Sequence, residues 1–271
     1  MKTTGMCLTV VLLSAAGCGG PRVWIDSSET ITIAAADLNT IDIETHNGDI
    51  QLIGSANASQ IEAVITARYG GWNLESAQNC KDAVELVSET VADGRHRLVP
   101  RWRRAKASDW QAIVSYKVFV PVRLASSLTS HNGDIVVKDV AGECKVVTHN
   151  GDVSVAAHSP ALRVLTHNGD IHAKSAASEM NLDTHNGSIH IDSSGSSRLS
   201  GRIATHNGAI IARLDDTVST ELACRTHNGR IKSDLPWRVK EMSKYEVVGT
   251  LGEGAGRLEV ESFNGNISLV K

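Results

Sequence analysis

The sequence predicts an all-β protein with one short helix, built as a β-solenoid: a right-handed parallel β-helix-like stack of 18–21-residue coils. Three observations predict it. A hexamer centred on Asn-Gly recurs eight times, its copies from Ser130 to Ile231 follow one another at 18 or 21 residues, and residues within each copy alternate between apolar and polar. Composition agrees, since 23 Gly against 5 Pro and 2 Phe describes a turn-rich chain with a thin aliphatic core.

Of the 271 residues, 41% are hydrophobic and 21% charged, which excludes a disordered polymer and a many-spanning membrane protein. A net charge of −3 gives no basic field of the kind nucleic acid requires, so no nucleic-acid partner is expected.

The N-terminus has the pattern of an export signal. Lys2 supplies a positive start, Met6 to Leu13 an apolar run too short to span a bilayer, and Ser14-Ala15-Ala16-Gly17-Cys18 a small-residue cleavage region ending in cysteine. Residues 1–17 are therefore expected to be a lipoprotein signal peptide cleaved before Cys18, with diacylglycerol on Cys18 holding the chain to a membrane. The alternative is an ordinary secretory signal. Residues 18–30 read as anchor and linker, and Gly19 in place of Asp favours the outer membrane in a cell that has one. Cys80, Cys144 and Cys224 lie far apart with no Cys-x-x-Cys, as buried free thiols would.

From residue 31 to 271 the chain reads as a single solenoid domain. Its turn pairs are Asn47-Gly48, Asn132-Gly133, Asn150-Gly151, Asn168-Gly169, Asn186-Gly187, Asn207-Gly208, Asn228-Gly229 and a divergent Asn264-Gly265. Parity puts Cys144, Val146 and Thr148 inside, with Leu162, Val164, Thr166 and their equivalents, and turns Lys145, Arg163, Asp183, Glu221, Arg225 and every hexamer histidine outward. Asn-Gly also suits a hairpin because both residues tolerate positive φ, so the alternative fold is an antiparallel meander folded into a sandwich or prism. Reproduction of one hexamer favours coils, which must match their neighbours in register.

Residues 55–125 interrupt the repeat and read as a strand (60–69), a helix (73–88), a hairpin at Asp93-Gly94 and a strand (111–120). This αβ insertion is expected to cap one end or lie along one face. Residues 247–271 read as a closing coil at the other end.

Serial Asn-Gly-Asp-Ile hexamers, a helix-containing insertion, the Val118-Phe119-Val120-Pro121 segment and the glycine-rich stretch Gly249 to Gly256 occur together. In this combination, over residues 24–271, the sequence resembles the bacterial putative-adhesin domain of unknown function found in exported proteins and lipoproteins. The resemblance implies a β-helical or β-roll fold and an envelope location, and it carries no catalytic residues. The sequence departs from the family at the position before Asn-Gly, which is often a small polar residue there and is histidine seven times here.

If the units are parallel coils, His131, His149, His167, His185, His206 and His227 stand about 4.8 Å apart on the outer surface. Neighbouring imidazoles at that spacing would share Zn, Cu or Ni; a meander would double the spacing and lose the chelate. His172 and His190 offer a second pair. The Asp after each early turn is expected to be solvated, since the Gly-Gly-x-Gly-x-Asp pattern of calcium-loaded rolls is missing. No nucleophile-elbow, zincin or Walker motif is present, so no enzyme is expected, with a carbohydrate-active β-helix enzyme the remote alternative. Arg101, Arg103, Arg104 and Lys106 form a cationic cluster for an anionic partner. These features predict a lipid-anchored envelope protein acting by adhesion or scaffolding on an envelope glycan or protein, with no cofactor required, and divalent-metal binding as the alternative function.

Overall fold

The computed structural model describes residues 8–13, 23–193 and 198–271. Cys18 and the proposed cleavage site lie outside the described residues. The chain divides into two compact units, residues 1–133 and 134–271.

Unit 1 contains β1 (Leu8–Leu13), β2 (Val23–Ala34), β3 (Thr40–Asn47), β4 (Ile50–Ser55), β5 (Gln60–Gly71), α1 (Leu74–Ala83), β6 (Val84–Val91), β7 (Arg95–Trp102), β8 (Gln111–Pro121) and β9 (Ala125–Asn132). One of its sheets runs β1-β2-β5-β8-β4 and the other β9-β3-β7-β6. The hexamer turn joins β3 in one sheet to β4 in the other, so Asn47-Gly48 makes a corner between sheets. Its β3–β9, β3–β7 and β4–β8 pairs are parallel, whereas β2–β5, β5–β8 and β6–β7 are antiparallel. The insertion therefore extends both sheets beyond the first coil.

Two boundaries differ from the sequence reading. Residues 23–30, read as linker, belong to β2, where Val23 and Ile25 pack with Ala77 of α1. The helix, read as reaching residue 88, starts at an Asn73 cap whose side chain accepts from Ser76 N at 2.8 Å and ends at Ala83. Val84–Val91 instead pairs with β7, because the β-branched Val84, Val87, Thr90 and Val91 gain more from that ladder than from further helical turns. The expected Asp93-Gly94 hairpin is present, with φ of 64° and 68°.

Unit 2 contains β10 (Ile135–Lys138), β11 (Cys144–Asn150), β12 (Val153–Ala157), β13 (Ala161–Asn168), β14 (Ile171–Ser175), β15 (Glu179–Asn186), β16 (Ile189–Ser193), β17 (Ser200–Asn207), β18 (Ile210–Leu214), β19 (Thr220–Thr226), β20 (Ile231–Ser233), β21 (Arg238–Met242), β22 (Glu246–Leu251), β23 (Arg257–Asn264) and β24 (Ile267–Val270). Its sheets run β10-β12-β14-β16-β18-β24-β20 and β11-β13-β15-β17-β23-β19-β22-β21. Coil-to-coil pairs such as β13–β15 and β14–β16 are parallel and in register, which excludes the meander. Antiparallel pairing is confined to β19–β22 and β21–β22.

The last coil departs from expectation. Residues 257–270, read as part of the closing coil, lie between the coil of β17–β18 and that of β19–β20. The β21–β22 hairpin flanks β19 instead. Among the described residues of unit 2, chain order and stacking order diverge at this end.

Sequence parity survives folding. Cys144, Val146, Leu162, Val164, Met180, Leu182, Leu222 and Cys224 are buried, as are the Ile or Val residues after the turns from Ile135 to Ile210. Each such side chain contributes about 1.5–3 kcal/mol relative to exposure. Unit 2 buries no aromatic ring among its described residues, whereas unit 1 buries Tyr69, Trp110 and Tyr116.

Candidate functional site: the repeated outer face

Each hexamer position has its own task. The Thr or Ser hydroxyl turns inward and donates to the carbonyl of the neighbouring coil's glycine: Thr166 to Gly151 at 3.2 Å, Thr184 to Gly169 at 3.0 Å, Thr205 to Gly187 at 2.8 Å. The Asn side chains form an amide ladder. Asn168, Asn186, Asn207, Asn264 and Asn228 each donate Nδ2 to Oδ1 of the next Asn in the stack at 2.8 Å. Such in-register amide ladders are a stabilising device of stacked parallel strands.

Glycine is required for space. A methyl group on Gly169, Gly187 or Gly208 would enter the carbonyl of the adjacent coil's glycine. The sequence argument from positive φ holds for Gly48, at 136°, but no hexamer Asn takes positive φ. Those Asn residues are explained by their ladder.

The Asp after glycine caps the next coil: Asp134 Oδ1 accepts from Asp152 N, and Asp152 Oδ1 from Asp170 N, both at 2.8 Å, while Asp170 Oδ1 accepts from Ser188 N at 2.7 Å. These carboxylates are committed to backbone amides instead of merely being solvated.

The histidines also face solvent, and among the described residues His167, His185 and His206 make no coil-to-coil hydrogen bond comparable to those of Thr, Asn and Asp; their rings stack instead. In unit 2 His149, His167, His185 and His206 stack with ring centroids 4.7, 5.0 and 4.8 Å apart. Phe263 continues the column, 4.7 Å from His206 and 4.6 Å from His227. In unit 1 the His46 and His131 rings lie 4.7 Å apart with their planes tilted by 33°, and His46 titrates below the usual imidazole range because of burial, then His131, then Lys106. On the opposite sheet of unit 2, His172 and His190 stack at 4.8 Å with planes 9° apart.

The spacing is the one expected, but the rings lie nearly face to face. Imidazole lone pairs lie in the ring plane, so stacked rings aim them side by side; convergence on a metal with bonds of about 2.0–2.1 Å requires the rings to turn. Among the described residues no group of three or more His, Cys, Asp or Glu is placed to hold a metal.

Parity alone did not reveal the charged chain beside the column. Asp183, Ala204, Glu261 and Arg225 occupy one lateral row on adjacent strands. Arg202 reaches across Ala204, donating to Asp183 at 3.0 Å and to Glu261 at 2.7 Å, and Arg225 donates to Glu246 at 2.7 Å. The stacking position of residues 257–264 creates this chain, and the sequence carries no local signal for it.

The predicted cationic cluster is largely engaged. Arg101 pairs with Glu89 at 4.0 Å and Arg103 with Glu85 at 3.5 Å; Arg104 lies over Trp110 and Lys106 over Trp102. Cys80, Cys144 and Cys224 are buried thiols outside any disulfide among the described residues, and burial pushes the Cys80 thiol up to about 11 and Cys224 to about 12. Both are protonated at neutral pH and poorly suited to nucleophilic or ligand roles.

Fold and face together define a two-sheet β-solenoid repeat protein whose outer surface is a set of side-chain columns. The Toastrack DUF4097 family profile matches residues 114–270, and the chain belongs to that family. A crystal structure of a "putative adhesin" from Bacteroides fragilis aligns with a TM-score of 0.51 at 14% identity, covering 90% of this chain and 97% of that one. A "putative adhesin" from Parabacteroides distasonis aligns at 0.48 and 14% identity, over 90% and 97% of the two chains. One from Parabacteroides merdae aligns at 0.49 and 12%, over 90% and 96%. At these identities the likeness is one of fold. The comparison with curated proteins found no match. Among the described residues no helix is long and apolar enough to cross a membrane.

Proposed function

We propose that this is an exported, lipid-anchored scaffold of the cell envelope that binds an envelope polymer or protein through its repeated outer face, without catalysis. The observation that carries the reading is the division of labour in the hexamer. Thr, Asn, Gly and Asp are used in joining coils, whereas the histidine ring recurs outward at one-coil spacing. A surface of identical groups in series suits many weak contacts along an extended partner better than turnover at one centre.

Anchoring through Cys18 would place this face at a membrane surface, the outer membrane in a cell with two. Cleavage before Cys18 would also remove β1 and leave β2 as a sheet edge in unit 1. Fractionation with labelled fatty acid tests the anchor: the protein should carry label and sediment with membranes, and Cys18→Ser should release it unlabelled. Co-sedimentation of the purified protein with isolated cell envelopes tests the scaffold. Saturable binding is expected, and its absence would overturn the reading.

A second reading, bis-histidine binding of Zn, Cu or Ni, is favoured by the one-coil spacing of both histidine columns. Calorimetric titration should then give heat at about pH 7.5 that is lost at about pH 5.5, where most imidazoles protonate. Silence at both pH values would remove it.

A further inference from the structure

We infer that unit 2 carries a binding groove for a neutral, linear glycan between its ring column and the ion-paired chain at Arg202; the inference rests on the envelope-binding reading above. The groove has a volume of about 470 Å³. One wall is made by the edges of His185, His206, Phe263 and His227, and the other by Arg202 and Arg225 with Asp183 and Glu261. Ala204 forms its floor because it is the small member of the lateral row, between Asp183 and Glu261.

The chemistry of the walls selects the occupant. Ring faces within the column are covered by neighbouring rings, so the groove meets ring edges. Among the described residues the ring nitrogens of His185, His206 and His227 have no hydrogen-bond partner in the protein, and a neutral imidazole offers one donor and one acceptor. Arg202 spends three of its five N–H groups on Asp183 and Glu261, leaving two as donors. Sugar hydroxyls donate and accept together, matching a wall that does both.

Charge argues the same way. A polyanion would meet Asp183 and Glu261, and a polycation would meet Arg202 and Arg225, whereas a neutral sugar is repelled by neither. The ion pairs already hold Arg202 and Arg225, which reduces the side-chain entropy lost on binding. Ring edges recur at every coil, 4.6–4.8 Å apart along the column from His185 to His227, three of them imidazoles and one the phenyl of Phe263, and this regular series suits a polymer that repeats both hydroxyls and C–H groups along its length.

Fluorescence anisotropy of labelled cellohexaose, chitohexaose and maltohexaose with the full-length protein in detergent, at about pH 7.5 where imidazoles are neutral, tests the groove. Saturable binding of at least one hexaose is expected. Ala204→Leu, which fills the floor, should weaken it by about tenfold or more; Arg225→Ala should weaken it as well and serves if Ala204→Leu lowers the melting temperature. Ile211→Ala, on the opposite sheet of unit 2, should leave it unchanged. Absence of binding to all three hexaoses, or Ala204→Leu binding as tightly as wild type with an unchanged melting temperature, would overturn the groove. Co-sedimentation with isolated envelopes separates the outcomes: if envelopes still bind while the hexaoses do not, only the groove fails, and if envelopes do not bind either, the scaffold reading fails too.

Discussion

The hexamer meets two kinds of neighbour, and the contrast shows what its repetition is for. Within unit 2 each copy stacks on another copy. In unit 1 the first copy, Thr45 to Ile50, lies against β8, which contains no hexamer. Yet Thr45 still donates to a carbonyl, that of Val114 at 2.8 Å, and Asn47 Nδ2 still finds an acceptor, Ala112 O at 3.4 Å. Ser115 Oγ accepts from Asp49 N at 3.1 Å, the task a hexamer Asp performs in unit 2. A coil can therefore close against an ordinary strand. The identical sequence is needed where coil follows coil, because each Asn must accept from one neighbour and donate to the other, and each Thr and Asp must meet the glycine carbonyl or backbone amide of a matching corner.

This contrast can be broken or sharpened by substitution. The largest effect is expected at the corner: Gly187→Ala sets a methyl against the Gly169 carbonyl, backbone against backbone, and should cost about 3 kcal/mol in urea unfolding. A loss below about 0.5 kcal/mol would mean that coils slide apart without penalty. Next comes the ladder. Asn186→Ala removes the bonds to Asn168 and from Asn207, worth about 2 kcal/mol together, and a neutral result would sever Asn from stability.

The comparison is sharpest between Asp152→Ala in unit 2 and Ser115→Ala in unit 1, each of which removes an acceptor for one backbone amide. Both should cost about 1 kcal/mol, and a silent Ser115→Ala beside a costly Asp152→Ala would show that β8 does not stand in for a hexamer. The smallest effect concerns His46. Its folded-state titration lies below the usual value of about 6.5, so on acidification the unfolded chain binds the proton first. The stability tied to neutral His46 is complete above that value and is lost as pH falls toward the folded one. Lys106→Ala removes a charge that lowers the titration and should move it upward by NMR; no movement would remove Lys106 from the causes.

Much of this was legible in advance because a solenoid writes its register into its sequence. Val146, Val164 and Leu182 fall inside and His149, His167 and His185 outside by counting alone. Asp134 and Asp152 are exposed as expected, but their acceptor role is not legible locally because it depends on an amide 18 residues onward. Residues 84–88 were read as helix because period-two and period-3.6 patterns overlap in short apolar runs, and the pairing with β7 decides between them.

By itself the sequence determined the coil length, the inward and outward faces and the corner, since these follow from local periodicity and from one motif repeated at fixed spacing. Only the tertiary structure decided which coils touch where chain order and stacking order differ. Asn264 receives its neighbours Asn207 and Asn228 from 57 and 36 residues away, and Phe263 thereby enters the imidazole column. The ion-paired wall at Arg202 follows from the same choice, because Glu261 faces Arg202 only once β23 has inserted between β17 and β19. Such pairings join residues 57 and 36 positions apart, beyond the reach of any local pattern, and depend on which strand edges the rest of the fold leaves to be covered.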